Sequence, residues 1–176
     1  MQRWRVPLGF VCGALFLLFA KPTWSLLLIG GAVALPGVGL RAWASGHLRK
    51  NESLATSGPY AFTRNPLYLG SFLIGVGFTI AGGVWWLAIV PLALLLGIYL
   101  PVMRVESATL AELFGTKYQR YARDVPLFLP RLSPNRSAIT PARFDRSLYL
   151  RYREYRLALG VVIAWALLVA KMIYFK

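Results

Sequence analysis

The stretch that decides the fold runs from Leu67 to Met103 and reads LYLGSFLIGVGFTIAGGVWWLAIVPLALLLGIYLPVM. It contains no charged residue, and Ala81-Gly82-Gly83 divides it into two apolar halves. A helix needs about 20 apolar residues to cross a bilayer, with a range of roughly 17 to 25. The halves Leu67–Gly83 and Val84–Met103 are therefore predicted to form a membrane hairpin with a tight turn at the glycines.

Three more apolar segments flank this hairpin: Val6–Ala20, Trp24–Trp43 and Leu157–Phe175. Lys171 lies in the last of them and can extend its side chain to the interface. The segment Val6–Ala20 has two readings, a signal peptide or a retained anchor. We favour the anchor, because Ala20-Lys21-Pro22 is a poor cleavage context and another span follows at once. The predicted fold is all-α and polytopic, with about five transmembrane helices and a cytosolic helical cover.

The composition supports a membrane protein. Hydrophobic residues make up 57% of the chain and charged residues 15%, whereas an ordinary soluble domain carries about 25% charged residues. This excludes a typical soluble globular protein, a disordered chain and a coiled coil. Cys12 is the only cysteine, so the chain can form no internal disulfide.

The charges predict an orientation. Lys and Arg total 20, Asp and Glu total 6, and the net charge is +14. With the N-terminus inside, 17 of the 20 basic residues face the cytosol, which is the arrangement that membrane insertion favours. Anionic membrane lipid then accounts for the basic excess. No nucleic-acid partner is predicted, because no aromatic and basic module of that kind is present.

The first cytosolic stretch, Ser45–Asn65, ends in a predicted helix start. Ser57-Gly58-Pro59 predicts a turn, and Asn65-Pro66 matches an N-cap followed by proline at the first helical position. A helix start of this kind presents free N–H groups to an anion, and Arg64 adds positive charge beside it. The alternative is that Asn65 only caps the helix and Arg64 only meets lipid phosphates.

Two single residues remain open on sequence grounds. His47, the only histidine, is either a hydrogen-bonded structural group or a general base; no metal site is predicted, since no second His or Cys lies nearby. Glu106 either pairs with Arg104 or Arg64, or holds a cationic ligand. An apolar helix face follows Glu106 and is predicted to pack as a cover: Leu110, Phe114, Tyr118, Tyr121 and Val125.

At two blocks the chain resembles the isoprenylcysteine carboxyl methyltransferase family and its phospholipid methyltransferase relatives. Gly58-Pro-Tyr-Ala-Phe-Thr-Arg-Asn-Pro-Leu-Tyr-Leu-Gly70 is similar to the family's G-x-Y-x-x-x-R-H-P-x-Y-x-G. The second block begins at Glu106 and is similar to E-E-x-x-L-x-x-x-F-G-x-x-Y-x-x-Y followed by V-P and a final Pro. The blocks are correctly ordered, separated by the hairpin, and cover about residues 41–130.

This resemblance implies a small membrane enzyme that binds S-adenosylmethionine at its cytosolic side and methylates a lipophilic or lipidated substrate. Carried over by position, the implied cofactor contacts are His47, Lys50, Glu52, Ser53, Leu54, Ala55, Tyr60, Asn65, Pro66, Leu67, Tyr68 and Glu106. The implied catalytic residues are Arg64, Glu106 and His47, and the implied substrate contact is Arg104.

The chemistry of the cofactor agrees with this transfer. Its carboxylate suits the Asn65-Pro66 helix start and Arg64, its cationic groups suit Glu106, and tyrosine faces can lie against adenine or the sulfonium. The chain also departs from the family. Asn65 replaces the usual His, Ser107 replaces the second Glu, and Val102 stands where prenylcysteine enzymes have a substrate-contacting Arg. The prenylcysteine substrate is therefore in doubt.

The chain is expected to be one domain, residues 1–176. Within it, residues 1–44 form an N-terminal helix pair, 45–130 the cofactor-binding catalytic region, and 131–176 a basic interfacial segment and the last membrane helix. Two other functions stay open: a nicotinamide-dependent membrane reductase of related fold, and a non-enzymatic membrane protein that binds anionic lipid.

Overall fold

The computed structural model describes residue 13 and residues 16–49, 52–134 and 143–174. These described residues form helices and turns without a strand, which confirms the all-α class. Residues 16–19 are helical, and the named helices follow in chain order: α1 (Trp24–Ser45), α2 (Pro66–Gly82), α3 (Ile89–Leu94), α4 (Leu100–Asp124), α5 (Arg146–Arg151) and α6 (Glu154–Tyr174).

Three helical stretches are long and apolar enough to cross a membrane: α1, residues 85–124 and α6. The helix α2 has 17 residues and is apolar but shorter. Large apolar side chains project outward from these helices, among them Leu28 at 73% exposure and Val162 at 64%, as expected where the surroundings are lipid. The predicted span Val6–Ala20 lies largely outside the described residues, so the count of five spans stays a prediction.

The antiparallel pair α1–α2 is held by small residues. Gly30 of α1 lies against Gly77 of α2, and Gly37 lies against Gly70. A Cβ atom on Gly30 would come 2.8 Å from the backbone nitrogen of Ala81, closer than real Cβ atoms approach. Such contacts let two backbones meet directly, which is how helices associate when the solvent is lipid.

The last helix, α6, completes this frame by packing against both α1 and α2. Leu168 is fully buried in a cluster with Leu27 and Ala81, and Trp165 packs edge-on to Phe78 with ring centroids 5.0 Å apart. Near its end, Lys171 donates to the carbonyl oxygens of Leu17 and Leu18. The lysine therefore satisfies carbonyl groups where the helical residues 16–19 end.

The long helical stretch 85–124 is irregular at two places. A π-helical turn, Leu95–Tyr99, precedes Pro101; the wide turn accommodates a proline that lacks the N–H for an ordinary helical bond and whose ring crowds the preceding turn. Farther on, Gly115 has φ 51° and ψ −129° inside α4, which breaks the helix that the sequence predicted as continuous. The structure thus divides α4 at Gly115 into a first half and a cover helix, residues 116–124.

Candidate functional site

The loop 46–65 between α1 and α2 is folded against the cover helix. Leu54 is buried in a cluster with Tyr118, Tyr121 and Val125. The Tyr121 hydroxyl donates to the backbone oxygen of Tyr60 at 2.7 Å. The apolar face that the sequence predicts on both sides of the kink is therefore present, and it packs against this loop. We call the loop, the cover helix and the segments packed on them the polar end of the molecule.

A short segment after the cover helix, residues 126–131, holds the end of the loop; we call it the strap. Arg64 donates its backbone N–H to the Pro126 oxygen at 2.9 Å, and Arg131 donates its own to the Phe62 oxygen at 3.0 Å. The Thr63 hydroxyl donates to the Phe128 oxygen at 2.8 Å. The strap thereby fixes the approach of the loop to α2.

Asn65 occupies the N-cap position of α2, and Pro66 begins the helix, as predicted. The predicted capping bond is wrong, however: the Asn65 side chain makes no cap hydrogen bond and instead donates from Nδ2 to the Leu127 oxygen at 2.9 Å. The bond to the strap fixes the orientation of the amide, whose Oδ1 atom accepts no bond from the first N–H groups of α2. The start of α2 is therefore left without a side-chain cap, with the positive end of the helix dipole at the polar end.

Arg64 turns toward the cover helix. Its guanidinium donates from Nη1 to the Tyr118 hydroxyl at 3.1 Å. Its Nε atom is buried and has no hydrogen-bond partner within the described chain. A buried guanidinium N–H without an acceptor is costly, and an acceptor on a bound molecule would remove that cost.

Glu106 lies on α4 and accepts a hydrogen bond from the hydroxyl of Tyr68 on α2 at 3.2 Å. The ring of Tyr68 packs on Tyr99 with centroids 5.3 Å apart. No ion pair of Glu106 with Arg104 or Arg64 occurs in the described structure, so the simple pairing alternative is not observed. An exposed carboxylate beside two aromatic rings is a suitable environment for a cation.

Tyr60 is buried in the loop, under the cover helix. Burial raises the pKa of its hydroxyl well above the ordinary value, and the nearby Tyr121, Tyr152, Glu106 and Glu154 raise it further. The Tyr60 hydroxyl therefore stays protonated at any physiological pH.

His47 occupies a different part of the polar end. Its Nδ1 atom lies 3.0 Å from the Trp43 oxygen, so the proton belongs on Nδ1 when the ring is neutral, and Nε2 remains available. Gly58 has φ 58°, and a Cβ there would come 2.8 Å from His47 Nε2. The glycine of the first motif therefore allows both a left-handed turn and close contact with the imidazole.

His47 lines a cleft of about 600 Å³ together with Ser53, Leu54 and Ala55. The other sides of this cleft come from the cover helix and from the segment before α5. Four basic side chains reach it: Arg49, Lys117, Arg143 and Arg146. We call this the basic cleft.

The structure thus divides the predicted site residues into two groups. His47 and Ser53–Ala55 line the basic cleft. Tyr68 and Glu106 are joined by a hydrogen bond outside its lining, Tyr60 is buried in the loop, and Asn65 and Pro66 stand at the start of α2. Glu52 pairs with Arg151 at 3.9 Å on the surface, and Arg104 is exposed. Lys50 lies outside the described residues. The assignment of these residues to a cofactor or substrate stays a prediction.

A network centred on Arg41 was not predicted from the sequence. Its Nε and Nη2 atoms donate to both carboxylate oxygens of Glu154, at 3.1 and 2.8 Å. Its Nη1 atom donates to the Leu67 oxygen at 3.1 Å and to the Ser71 hydroxyl at 2.6 Å. One side chain therefore ties α1, α2 and α6 together near the start of α2. The sequence signal for this network was an arginine at the end of one apolar span and an acid at the start of another.

Comparison with known proteins places the chain in a family. Residues 10–117 match the family described as phospholipid methyltransferase. The chain is 38% identical over 149 residues to the cobalt-zinc-cadmium resistance protein CzcN of Cupriavidus metallidurans, covering 78% of this chain and 66% of that protein. It is 36% identical over 147 residues to the nickel-cobalt-cadmium resistance protein NccN of Alcaligenes xylosoxydans, covering 78% and 67%.

A eukaryotic relative matches over a shorter region. Protein-S-isoprenylcysteine O-methyltransferase of Schizosaccharomyces pombe is 30% identical over 81 residues, which are 46% of this chain and 34% of that protein. The chain spans about two thirds of the length of the two bacterial relatives. No solved structure gives a significant match. Because the family match covers more than half of the sequence, the chain belongs to the phospholipid methyltransferase family.

Proposed function

We propose that this membrane protein is an S-adenosylmethionine-dependent methyltransferase that acts on a lipophilic small-molecule or lipidated acceptor, with its site facing the cytosol. The observation that carries the proposal is the Glu106 carboxylate, which accepts a hydrogen bond from Tyr68 at 3.2 Å and makes no ion pair in the described structure. A cation-binding group therefore stands beside the ends of membrane helices, where a soluble cofactor and a membrane-borne acceptor can meet.

The residues present fit this cofactor. Glu106 and the ring faces of Tyr68 and Tyr99 suit a sulfonium or ammonium group. The uncapped start of α2 suits a carboxylate, and Arg64 offers a buried Nε–H that lacks an acceptor among the described residues. The segment Glu52–Ala55 and Tyr60 would contribute the remaining contacts, with His47 and Lys50 at its approach.

Positioning would dominate the mechanism. When bound, the cofactor supplies an electrophilic methyl group for direct transfer. The chain has to hold the acceptor atom in line with that group and exclude water, and well-oriented reactants gain several kcal/mol in this way. Tyr60, kept protonated by burial, can donate a hydrogen bond but cannot act as a base.

The need for a base depends on the acceptor. A carboxylate acceptor needs none, whereas an amine or hydroxyl must lose a proton. His47 Nε2 and Glu106 are the two candidates for that role. For a carboxylate, Arg104 is the proposed contact; Val102 offers no charge. This difference makes a prenylcysteine a poor substrate in the proposal.

The alternatives have less support. A nicotinamide-dependent reductase needs basic groups around a pyrophosphate; the basic cleft offers such groups, but the family match is to methyltransferases. A purely lipid-binding role explains the charge but not the two motif blocks. Metal resistance appears in the names of the bacterial relatives. Within the described residues, however, no group of three or more His, Cys, Asp or Glu side chains could hold a metal, so direct ion binding has no support there.

Calorimetry of the full chain in detergent tests the cofactor assignment. We expect binding of S-adenosylmethionine and no binding of NADPH. Glu106→Gln should weaken S-adenosylmethionine binding about tenfold or more, since the bound cationic group loses its charged hydrogen-bonding partner. Glu112→Gln is the matched control, because Glu112 is an exposed acid on the same helix.

S-adenosylhomocysteine sharpens this experiment, because its sulfur is neutral while its ammonium group is retained. A larger loss for S-adenosylmethionine than for S-adenosylhomocysteine would place Glu106 near the sulfonium, and equal losses would place it near the ammonium. Unchanged affinity of Glu106→Gln for both would remove Glu106 from the site. Binding of NADPH in place of S-adenosylmethionine would overturn the proposed function.

A further inference from the structure

The short segment 143–146, before α5, forms one side of the basic cleft. The family match ends at residue 117, and the second motif block ends at Pro130, so the resemblance assigns nothing to this segment. It nevertheless lines the same cleft as His47 and Ser53–Ala55, which are proposed cofactor contacts. The structure therefore adds a wall to the site that the motifs do not include.

Three contacts hold this segment on the loop that follows α1. The Asp145 N–H donates to the Gly46 oxygen at 2.9 Å, and the Asp145 carboxylate pairs with Arg49 at 3.4 Å. The ring of Phe144 lies so close to Gly46 that a Cβ atom on the glycine would overlap it. Because glycine leaves room for the ring, Phe144 rests directly on the backbone of the loop.

Phe144 stays half exposed in spite of this contact. Its ring meets the imidazole of His47 at 62°, with centroids 6.1 Å apart. No second aromatic ring packs on it among the described residues. The residue is 48% exposed and lines the cleft. A large apolar ring that is open toward a cleft is suited to stack on a flat ligand ring.

The adenosine part of the proposed cofactor fits these surroundings. Glu106 and the start of α2 are proposed to hold its charged groups, which leaves the neutral adenosine for the cleft. The basic side chains of the cleft do not repel a neutral group, and their N–H groups can donate to the acceptor nitrogens of adenine. A sulfonium or ammonium group would be repelled there. The charge of the cleft therefore agrees with a nucleoside.

We propose that Phe144 stacks on the adenine ring of S-adenosylmethionine, and that residues 143–146 form the outer wall of the cofactor site. The inference rests on the proposed function for the identity of the ligand. It adds to the motif residues a cofactor contact from the segment that leads through α5 into α6 (Glu154–Tyr174).

Calorimetry of the full chain in detergent tests this contact with two ligands, S-adenosylmethionine and methylthioadenosine. The second keeps the adenosine but has a neutral sulfur and no amino-acid group. Phe144→Leu should weaken both ligands by the same factor, about tenfold, since stacking of a base on an aromatic ring contributes that much. Glu106→Gln should weaken S-adenosylmethionine and leave methylthioadenosine unchanged, because the latter carries no cationic group.

Tyr155→Leu is the matched control. Tyr155 is an aromatic residue of similar exposure, 43%, and does not line the cleft. Both ligands should bind this variant as they bind wild type, within about twofold, because no ligand contact is lost. Melting curves show that every variant is folded before affinities are compared.

Phe144→Trp separates a ligand contact from a purely structural role. Its affinity for methylthioadenosine should stay within about threefold of wild type, because an aromatic face is retained. The ligand should quench the added indole fluorescence beyond any change seen in wild type. A ring that only covers Gly46 would give no such additional quenching.

The outcomes separate this inference from the proposed function. If wild type binds S-adenosylmethionine and Phe144→Leu binds both ligands unchanged, the stacking contact is wrong and the proposed function stands. Equal losses in Phe144→Leu and Tyr155→Leu, or no additional quenching in Phe144→Trp, would also overturn the contact. If wild type binds methylthioadenosine in a Phe144-dependent way but not S-adenosylmethionine, the nucleoside wall stands and the proposed function is wrong. Failure to bind either ligand would overturn both.

Discussion

The membrane frame of α1, α2 and α6 and the polar end of the molecule are stabilised in different ways. In the frame, backbones meet directly at small residues, as where Gly30 lies against Gly77. At the polar end, side chains reach backbone groups far along the chain, as where the Tyr121 hydroxyl donates to the Tyr60 oxygen. Direct packing tolerates no added atoms, whereas hydrogen-bonded loops can loosen locally. The frame is therefore expected to unfold cooperatively, whereas single segments of the polar end are expected to unfold locally.

The largest effect is expected from Gly30→Val. Its new side chain would meet the backbone of α2 at Gly77 and Ala81, and overpacking against backbone costs about 3 kcal/mol or more because the helices must separate. Thermal unfolding in detergent should show loss of the cooperative transition. Gly39→Val is the control, since nothing lies within 4 Å of a Cβ at Gly39. Equal damage in both variants would mean that helix propensity, and not close contact, is responsible.

The second effect concerns Arg41, which joins all three frame helices. Arg41→Gln leaves the Glu154 carboxylate without its partner. These side chains are only 17% and 12% exposed, so we expect a loss of about 2–3 kcal/mol, less than for a fully buried pair.

Arg49→Gln is the comparison for Arg41→Gln, because Arg49 pairs with Asp145 at the surface. Exposed pairs contribute little, so its melting temperature should barely change. The same melting temperature for both variants would show that the Arg41 network does not stabilise the frame.

The third effect belongs to the polar end. Gly115→Ala places a side chain at φ 51° and ψ −129°, which costs about 2 kcal/mol. Because a Cβ there would touch nothing within 4 Å, the cost is conformational. Hydrogen exchange should rise in the cover helix and in loop 46–65, and α1 and α2 should keep their protection. Gly160→Ala on α6 is the control, because nothing lies within 4 Å of a Cβ there, and hydrogen exchange in the cover helix and the loop should stay unchanged. Faster exchange throughout the frame would contradict the separation of the two regions.

The smallest effect is expected from Tyr121→Phe. It removes the 2.7 Å bond to the Tyr60 oxygen and leaves that carbonyl in a buried place, at a cost of about 1 kcal/mol. The measurable result is faster proteolysis within loop 46–65 at an unchanged frame melting temperature. Tyr149→Phe, a half-buried tyrosine on α5, serves as control. If proteolysis is equally fast in both, the cover helix does not hold the loop.

The sequence predicted the frame better than the polar end, for a physical reason. Uncharged stretches such as Leu67–Met103 have one stable environment, so the all-α membrane class followed from composition. The helix start at Asn65-Pro66 was also predictable, because proline and a polar residue combine there. The hydrogen bond from the Asn65 amide to the strap was not predictable, because residues 62–65 and 126–131 meet only in the folded chain.

Pairs of interacting residues that lie far apart in the sequence were equally difficult to predict. Arg41 and Glu154 are 113 positions apart, and each has a plausible local explanation as an interfacial charge. The kink at Gly115 was hidden by a regular apolar pattern that continues on both sides of it. The motif blocks indicated the residues of the candidate site. Its division into a carboxylate cluster and a basic cleft could be seen only in the folded structure.

Transfer of a radiolabelled methyl group is the decisive test of methyltransferase activity on a lipophilic acceptor. The full chain in detergent is incubated with labelled S-adenosylmethionine and a membrane lipid extract, and the organic phase is counted. The account predicts label in the lipid fraction with wild type and Glu112→Gln, and a loss of about tenfold or more with Glu106→Gln at subsaturating cofactor. An unlabelled lipid fraction with wild type, under conditions where calorimetry shows S-adenosylmethionine bound, would contradict a lipophilic acceptor. Labelling unaffected by Glu106→Gln would contradict the proposed cation site.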